Sequence, residues 1–231
     1  MKSISKLLVV FVLASMVFVS CKDAASEKQE PSVAVETEAK DEKISEPEAA
    51  VKVVLNANLA TEDDLNALGL SADIVSQILE QRPFLNMKDF STILQSEGTE
   101  ELYKKVFVPL NLNTTAEADF KMIPGVGDRM AHEFEEYRPY ISVKQFKREI
   151  GKYVDENEVE RYLNYVFVPV ELNTASDEDI LALPGVGKKM AHEFDEYRPY
   201  VNLKQFRKEI GKYVDDKELK RLERFVYLKS N

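Results

Sequence analysis

Residues 112–168 and 172–228 match at a constant offset of sixty, with about half the positions identical. Self-similarity this strong confines a chain to tandem copies of one small folding unit, each stabilised partly by its neighbours. The shared blocks are Pro124-Gly125-Val126-Gly127 with Pro184-Gly185-Val186-Gly187, followed in both copies by MAHEF, EYRPY, KQF and EIGKYVD. A weaker copy precedes them: Leu68-Gly69-Leu70-Ser71 replaces the Pro-Gly-Val-Gly block, Arg82-Pro83-Phe84 replaces Arg138-Pro139-Tyr140, and Asp89-Phe90 replaces Gln145-Phe146. Three units therefore run over 51–108, 109–168 and 169–231.

Each unit reads as helical. Ser/Thr-x-x-Asp spacing marks the first helix at Thr61 to Asp64 and at Ser176 to Asp179, whereas the second unit has Ala116 at the cap position and a weaker start. Apolar pairs three apart (Leu65 and Leu68, Phe120 and Ile123, Ile180 and Leu183) share one helical face. The Gly-x-Gly turn ends that helix. A second helix carries Met130, Ala131, Phe134 and Tyr137, or Met190, Ala191, Phe194 and Tyr197, and Pro139 or Pro199 stops it. Val143, Phe146 and Ile150 give another amphipathic segment, Gly151 or Gly211 a break, and Val159 and Leu163, or Leu219 and Leu222, a last helix. Nothing alternates with period two for long, so strands are not expected beyond the short Val-Phe-Val-Pro linkers. The expected fold class is all-α.

The segment before the repeats is of another kind. Residues 1–20 read as a secretory signal, with Lys2 and Lys6 ahead of an apolar run over 7–19 that is too short to span a bilayer. Cys21, the sole cysteine, follows the small residue Ser20. Val17-Phe18-Val19-Ser20-Cys21 resembles a bacterial lipobox, with Phe18 where leucine is commoner. That resemblance implies cleavage before Cys21, lipid on its sulfur and amine, and a protein attached to a bacterial cell envelope by its lipid anchor alone, facing the periplasm or the outside. Residues 22–50 are rich in Glu, Lys, Ala, Ser and Pro with almost no aliphatic periodicity, the composition of an acidic flexible tether. Its expected reach is about 30 Å.

Helix, Pro-Gly-Val-Gly, helix is the signature of the helix-hairpin-helix family, and LNTASDEDILALPGVGKKMAHEFDEYRPY in the third unit resembles competence-type DNA receptor (ComEA-like) domains. FRKEIGKYVDDKELKRLERFV looks like the second, worn hairpin of the paired arrangement in that family, so the resemblance implies three tandem paired-hairpin units. The physics of the motif is a phosphate grip. Glycines let the backbone approach closely, and amides at the next helix's N-terminus point toward an anion. Base edges are not addressed, so double-stranded DNA would be bound without sequence specificity and with strong salt dependence. Family members tend also to hold a monovalent cation on hairpin carbonyls; no other cofactor is implied.

Carried over residue by residue, the best phosphate site is Gly185, Val186, Gly187, Lys188 and Lys189. The second unit keeps Gly125, Val126 and Gly127 but continues with Asp128 and Arg129, and the acid is expected to weaken that site. Ser71-Ala72-Asp73 in the first unit lacks the second glycine, and no anion site is expected there. A secondary basic face repeats at i, i+3 and i+4: Lys144, Lys147 and Arg148, then Lys204, Arg207 and Lys208. Acidic and basic residues number nine and five, eleven and eight, and twelve and twelve in the three units, so basic character rises toward the C-terminus.

Other readings compete. The net charge of −10 repels DNA at long range, although salt near 0.15 M screens beyond about 8 Å. Charge stripes at helical spacing are commonly solvated faces, and Glu149 and Glu209 lie beside these. The Gly-Val-Gly turn also serves as a purely structural turn in relatives such as an extrinsic photosystem II subunit. The alternative to DNA binding is thus a protein-interaction or scaffold lipoprotein whose partner is an envelope protein. His132 and His192 each precede carboxylates but sit on the flank of the apolar face, so no metal site is expected. With no nucleophile–base signature and no nucleotide loop, an enzyme is not expected.

Overall fold

The computed structural model describes residues 54–229; the signal segment, Cys21 and the tether lie outside them. The described chain is mostly helical, with twelve helices and six two-residue strands. The first copy runs β1 (Leu55–Asn56), α1 (Glu62–Ala67), α2 (Ala72–Gln81), α3 (Met87–Leu94), α4 (Glu100–Tyr103) and β2 (Val106–Phe107). The second runs β3 (Leu110–Asn111), α5 (Glu117–Phe120), α6 (Asp128–Glu136), α7 (Val143–Ile150), α8 (Glu156–Tyr162) and β4 (Val166–Phe167). The third runs β5 (Val170–Glu171), α9 (Asp177–Leu181), α10 (Lys188–Glu196), α11 (Leu203–Ile210), α12 (Asp216–Glu223) and β6 (Val226–Tyr227).

β2 and β4 fall in the Val-Phe-Val-Pro linkers, the one place where strands are expected, whereas β1, β3, β5 and β6 lie outside them. In each copy the opening Leu-Asn or Val-Glu pairs in parallel with the closing Val-Phe or Val-Tyr: β1 with β2, β3 with β4, β5 with β6. Leu110 N–H donates to Tyr165 O at 2.8 Å and Leu112 N–H to Phe167 O at 3.0 Å, so the two ends of a copy are tied together. Parallel pairing needs a long crossover, and the helices supply it.

Helix starts follow the capping chemistry. Thr61 and Asp64 form a reciprocal capping box, and Ser176 accepts from Asp179 N–H, but Ala116 makes no side-chain cap and α5 is only four residues long. α6 and α10 end before the cis Arg138-Pro139 and Arg198-Pro199 bonds. Past each proline an asparagine clasps the chain: Asn113 Nδ2 donates to Tyr140 O at 2.8 Å while its Oδ1 accepts from Tyr140 N–H at 2.7 Å. Asn58 holds Phe84 and Asn173 holds Tyr200 in the same way.

The expected apolar positions form the core. Leu65, Phe120, Ile123, Ala131, Phe134, Phe146, Ile150 and Val159 are all buried, and one cluster is continuous through the first two copies. A second cluster fills the third copy around Ile180, Phe194, Phe206 and Leu222. The third copy also touches the other two. Val143 N–H donates to Asp179 Oδ1 at 3.1 Å, and Lys217 Nζ donates to Glu80 O at 3.2 Å.

Candidate functional site

Gly125 and Gly185 adopt φ of +79° and +73° in the turns that connect α5 to α6 and α9 to α10. L side chains rarely reach that region, so the turn needs glycine there. Val126 and Val186 point inward and are buried, and their amides close the turn on Ile123 O and Leu183 O at 3.0 Å each. Gly127 and Gly187 are the N-caps of the nine-residue helices α6 and α10, and neither helix start has a side-chain acceptor. At the matching position of the first copy, Ser71 Oγ accepts from Ile74 N–H at 3.4 Å. The degenerate copy thus fills with its own hydroxyl a position the glycines leave bare.

The flanking charges differ between copies. Lys188 and Lys189 are exposed and make no ion pair among the described residues. Asp128 pairs with Lys121, and this hydrogen bond holds the Asp128 carboxyl below its ordinary pKa. The acid beside the second hairpin is therefore partly neutralised, a contact the sequence does not announce because Lys121 lies on the other side of the turn. Arg129 stacks over Tyr153 at 5.7 Å.

The secondary basic face is largely spent on carboxylates. Lys147 pairs with Glu160, Arg148 with Glu149, Arg207 with Glu223 and Lys208 with Glu209; only Lys144 and Lys204 are unpaired among the described residues. In the second copy the hairpin and the basic face line different cavities. Gly125, Val126 and Gly127 line one of 440 Å³ with Glu100, Tyr103 and Lys121, whereas Lys147 and Arg148 line another with Gly151 and Glu160.

Two arginines behind the hairpins were not singled out from sequence, although their sixty-residue spacing was there to find. Arg161 is bound through two hydrogen bonds by Glu158, which raises its pKa and lowers that of Glu158. Arg221 is held likewise by Glu218 and donates in addition to Pro184 O at 2.5 Å.

Leu59 of the first copy adds a further asymmetry. A Cβ built on Gly185 would lie 2.3 Å from Leu59 Cδ1, whereas one on Gly125 meets only Arg161 Nη2, at 3.5 Å. The first copy thus packs Leu59 directly on the third hairpin, whereas it meets the second only across a cavity lined by Glu100 and Tyr103.

No family model, curated protein or solved structure matches this chain. Function therefore has to be argued from the site. His132 lies near Glu117 and Glu136, His192 near Glu196, and among the described residues no group of three or more His, Cys, Asp or Glu could hold a metal ion. No described helix is long and apolar enough to cross a membrane.

Proposed function

We propose that the three copies are tandem helix-hairpin-helix units of an envelope lipoprotein, anchored through Cys21, that binds double-stranded DNA without sequence specificity. The reading rests on one observation. The nine-residue helices α6 and α10 start at bare glycines, and Lys188 and Lys189, exposed and without an ion pair among the described residues, begin the second of them. Phosphate oxygens complement such amides, and the two ammonium groups add point charges beside them. Arg161 beside the Gly125 turn joins Arg129 as a candidate contact of the second unit. DNA uptake would be a natural setting.

A scaffold role, with an envelope protein as partner, is favoured by a different observation: four of the six cations on the secondary face are neutralised by carboxylates of the chain itself.

Titration of the intact chain with a mixed-sequence duplex at several salt concentrations separates the two. Engaging about four phosphates gives a log–log salt slope near −3.6, with Kd of roughly 10⁻⁴–10⁻⁶ M at physiological salt. Lys188→Glu with Lys189→Glu removes about two of those contacts and should bring the slope to about −1.8. Absence of binding at low salt refutes the DNA reading and leaves the scaffold.

A further inference from the structure

Arg224, just past α12, reaches across to the other two copies. Its Nη1 donates to Phe84 O at 3.1 Å, its Nη2 to Pro109 O at 2.9 Å, and its guanidinium lies 5.5 Å from the Phe167 ring centre and 5.9 Å from that of Phe225. Those acceptors are carbonyls, not carboxylates. Of the carboxylates of α12, Glu218 is taken by Arg221 and Glu223 by Arg207, and none pairs with Arg224 among the described residues. Burial and then the charge of Arg221 push its pKa down to about 10. A cation removed from water without a counter-charge is costly.

Arg224 also lines a 460 Å³ cavity with Asn111, Thr114, Thr115 and Asp119 of the second copy and Leu85 of the first. That volume lies within the range of about 300–1,000 Å³ typical of small-molecule sites. A guanidinium has five N–H donors, and beyond the bonds to Phe84 and Pro109 the others make no hydrogen bond among the described residues.

Comparison of the copies indicates what is missing. At the register of Asn111 the third copy has Glu171, whose carboxylate accepts from Asn173 N–H at 3.0 Å and from Thr174 Oγ1 at 2.8 Å. In the second copy Asn111 Oδ1 takes over the first of these bonds, at 2.9 Å from Asn113 N. Thr114, the counterpart of Thr174, has no hydrogen bond from its hydroxyl among the described residues. The first copy has Asn56 in the same role, its Oδ1 accepting from Asn58 N–H at 3.0 Å, so the carboxylate is peculiar to the third copy, and Asn111 leaves the arginine in this cavity without a carboxylate of its own.

We propose that this cavity binds a small molecule through a carboxylate, received by the remaining N–H groups of Arg224 and the Thr114 hydroxyl. The planar guanidinium fork suits a carboxylate. Asp119 in the lining opposes a second negative charge, which favours a monocarboxylate over phosphate. The site is independent of the hairpins and of DNA.

The test is amide and arginine-side-chain NMR of the intact chain titrated with acetate, inorganic phosphate or chloride at constant ionic strength. Acetate should give saturable shifts at Thr114, Thr115 and Arg224 Nε–H that chloride does not, with phosphate binding more weakly. Arg224→Lys, which keeps the charge but loses the fork, should weaken acetate about tenfold, as expected for one charge-assisted hydrogen bond. Thr114→Val, at an exposed position, should weaken it several-fold and serves as the readout should Arg224→Lys unfold the chain. Asp119→Asn should narrow the preference for acetate over phosphate. Shifts equal to those of chloride, stronger binding of phosphate than acetate, or acetate shifts insensitive to both Arg224→Lys and Thr114→Val would each overturn the proposal.

Discussion

Phe134→Ala is expected to lower the stability of the chain by about 3–5 kcal/mol, read from the midpoint of urea denaturation. Phe134 is fully buried, and its ring meets Phe120 and Tyr162 edge-on at 5.2 Å each and Phe146 at 5.7 Å. Three rings from three different helices cannot all move inward to fill the space a lost phenyl leaves, so the cavity cost should stay near its upper range. The matching Phe194 has Ile180 where Phe120 stands and Leu222 where Tyr162 stands, and its aromatic partner is Phe206 at 5.2 Å. Branched aliphatic neighbours repack more readily, so Phe194→Ala should cost less. A loss below about 1.5 kcal/mol for Phe134→Ala, or a larger one for Phe194→Ala, would contradict this account of the core.

Most of the helical framework was legible because the repeat doubles every periodic signal. Phe134 and Phe194 fall on the same helical phase sixty residues apart, and the contrast of Ser176 with Ala116 foretold which first helix lacks a side-chain cap. The strand pairs were less legible. Two residues leave no period to detect, and Leu110 finds Val166 only after the whole crossover has folded. The asparagine clasps were hidden for a similar reason, since Asn113 and Tyr140 are brought together by the turn and α6 between them.

The candidate site was half legible. The Gly-Val-Gly turns show plainly in the chain, because only glycine suits a φ near +79°. What surrounds them does not. Lys147 and Glu160 are thirteen residues apart on different helices, so the neutralisation of the basic face depends on how α7 packs against α8. Leu59 and Gly185 belong to different copies, and no local pattern predicts that they touch.

Arg221 and Arg161 occupy matching positions, yet their removal should have different consequences. The Arg221 side chain is 2% exposed against 32% for Arg161. Arg221→Ala leaves the Pro184 carbonyl without its donor, strips Glu218 of its partner in a partly buried setting and empties the space beside Phe225, where the guanidinium lay 5.2 Å from the ring centre. Together these should cost about 3 kcal/mol. Arg161→Ala breaks a pair that water already screens, and should cost about 1 kcal/mol or less. The functional order runs the other way. Arg161 lines a cavity with Gly125 and Pro124, within reach of an incoming phosphate, while Arg221 is sealed behind its hairpin. At a temperature where both variants remain folded, Arg161→Ala should therefore weaken DNA binding more than Arg221→Ala does. If denaturation gave equal losses for the two, burial would not be what distinguishes these arginines; if Arg221→Ala weakened DNA binding more, direct access of the arginine to phosphate would not be what sets its contribution.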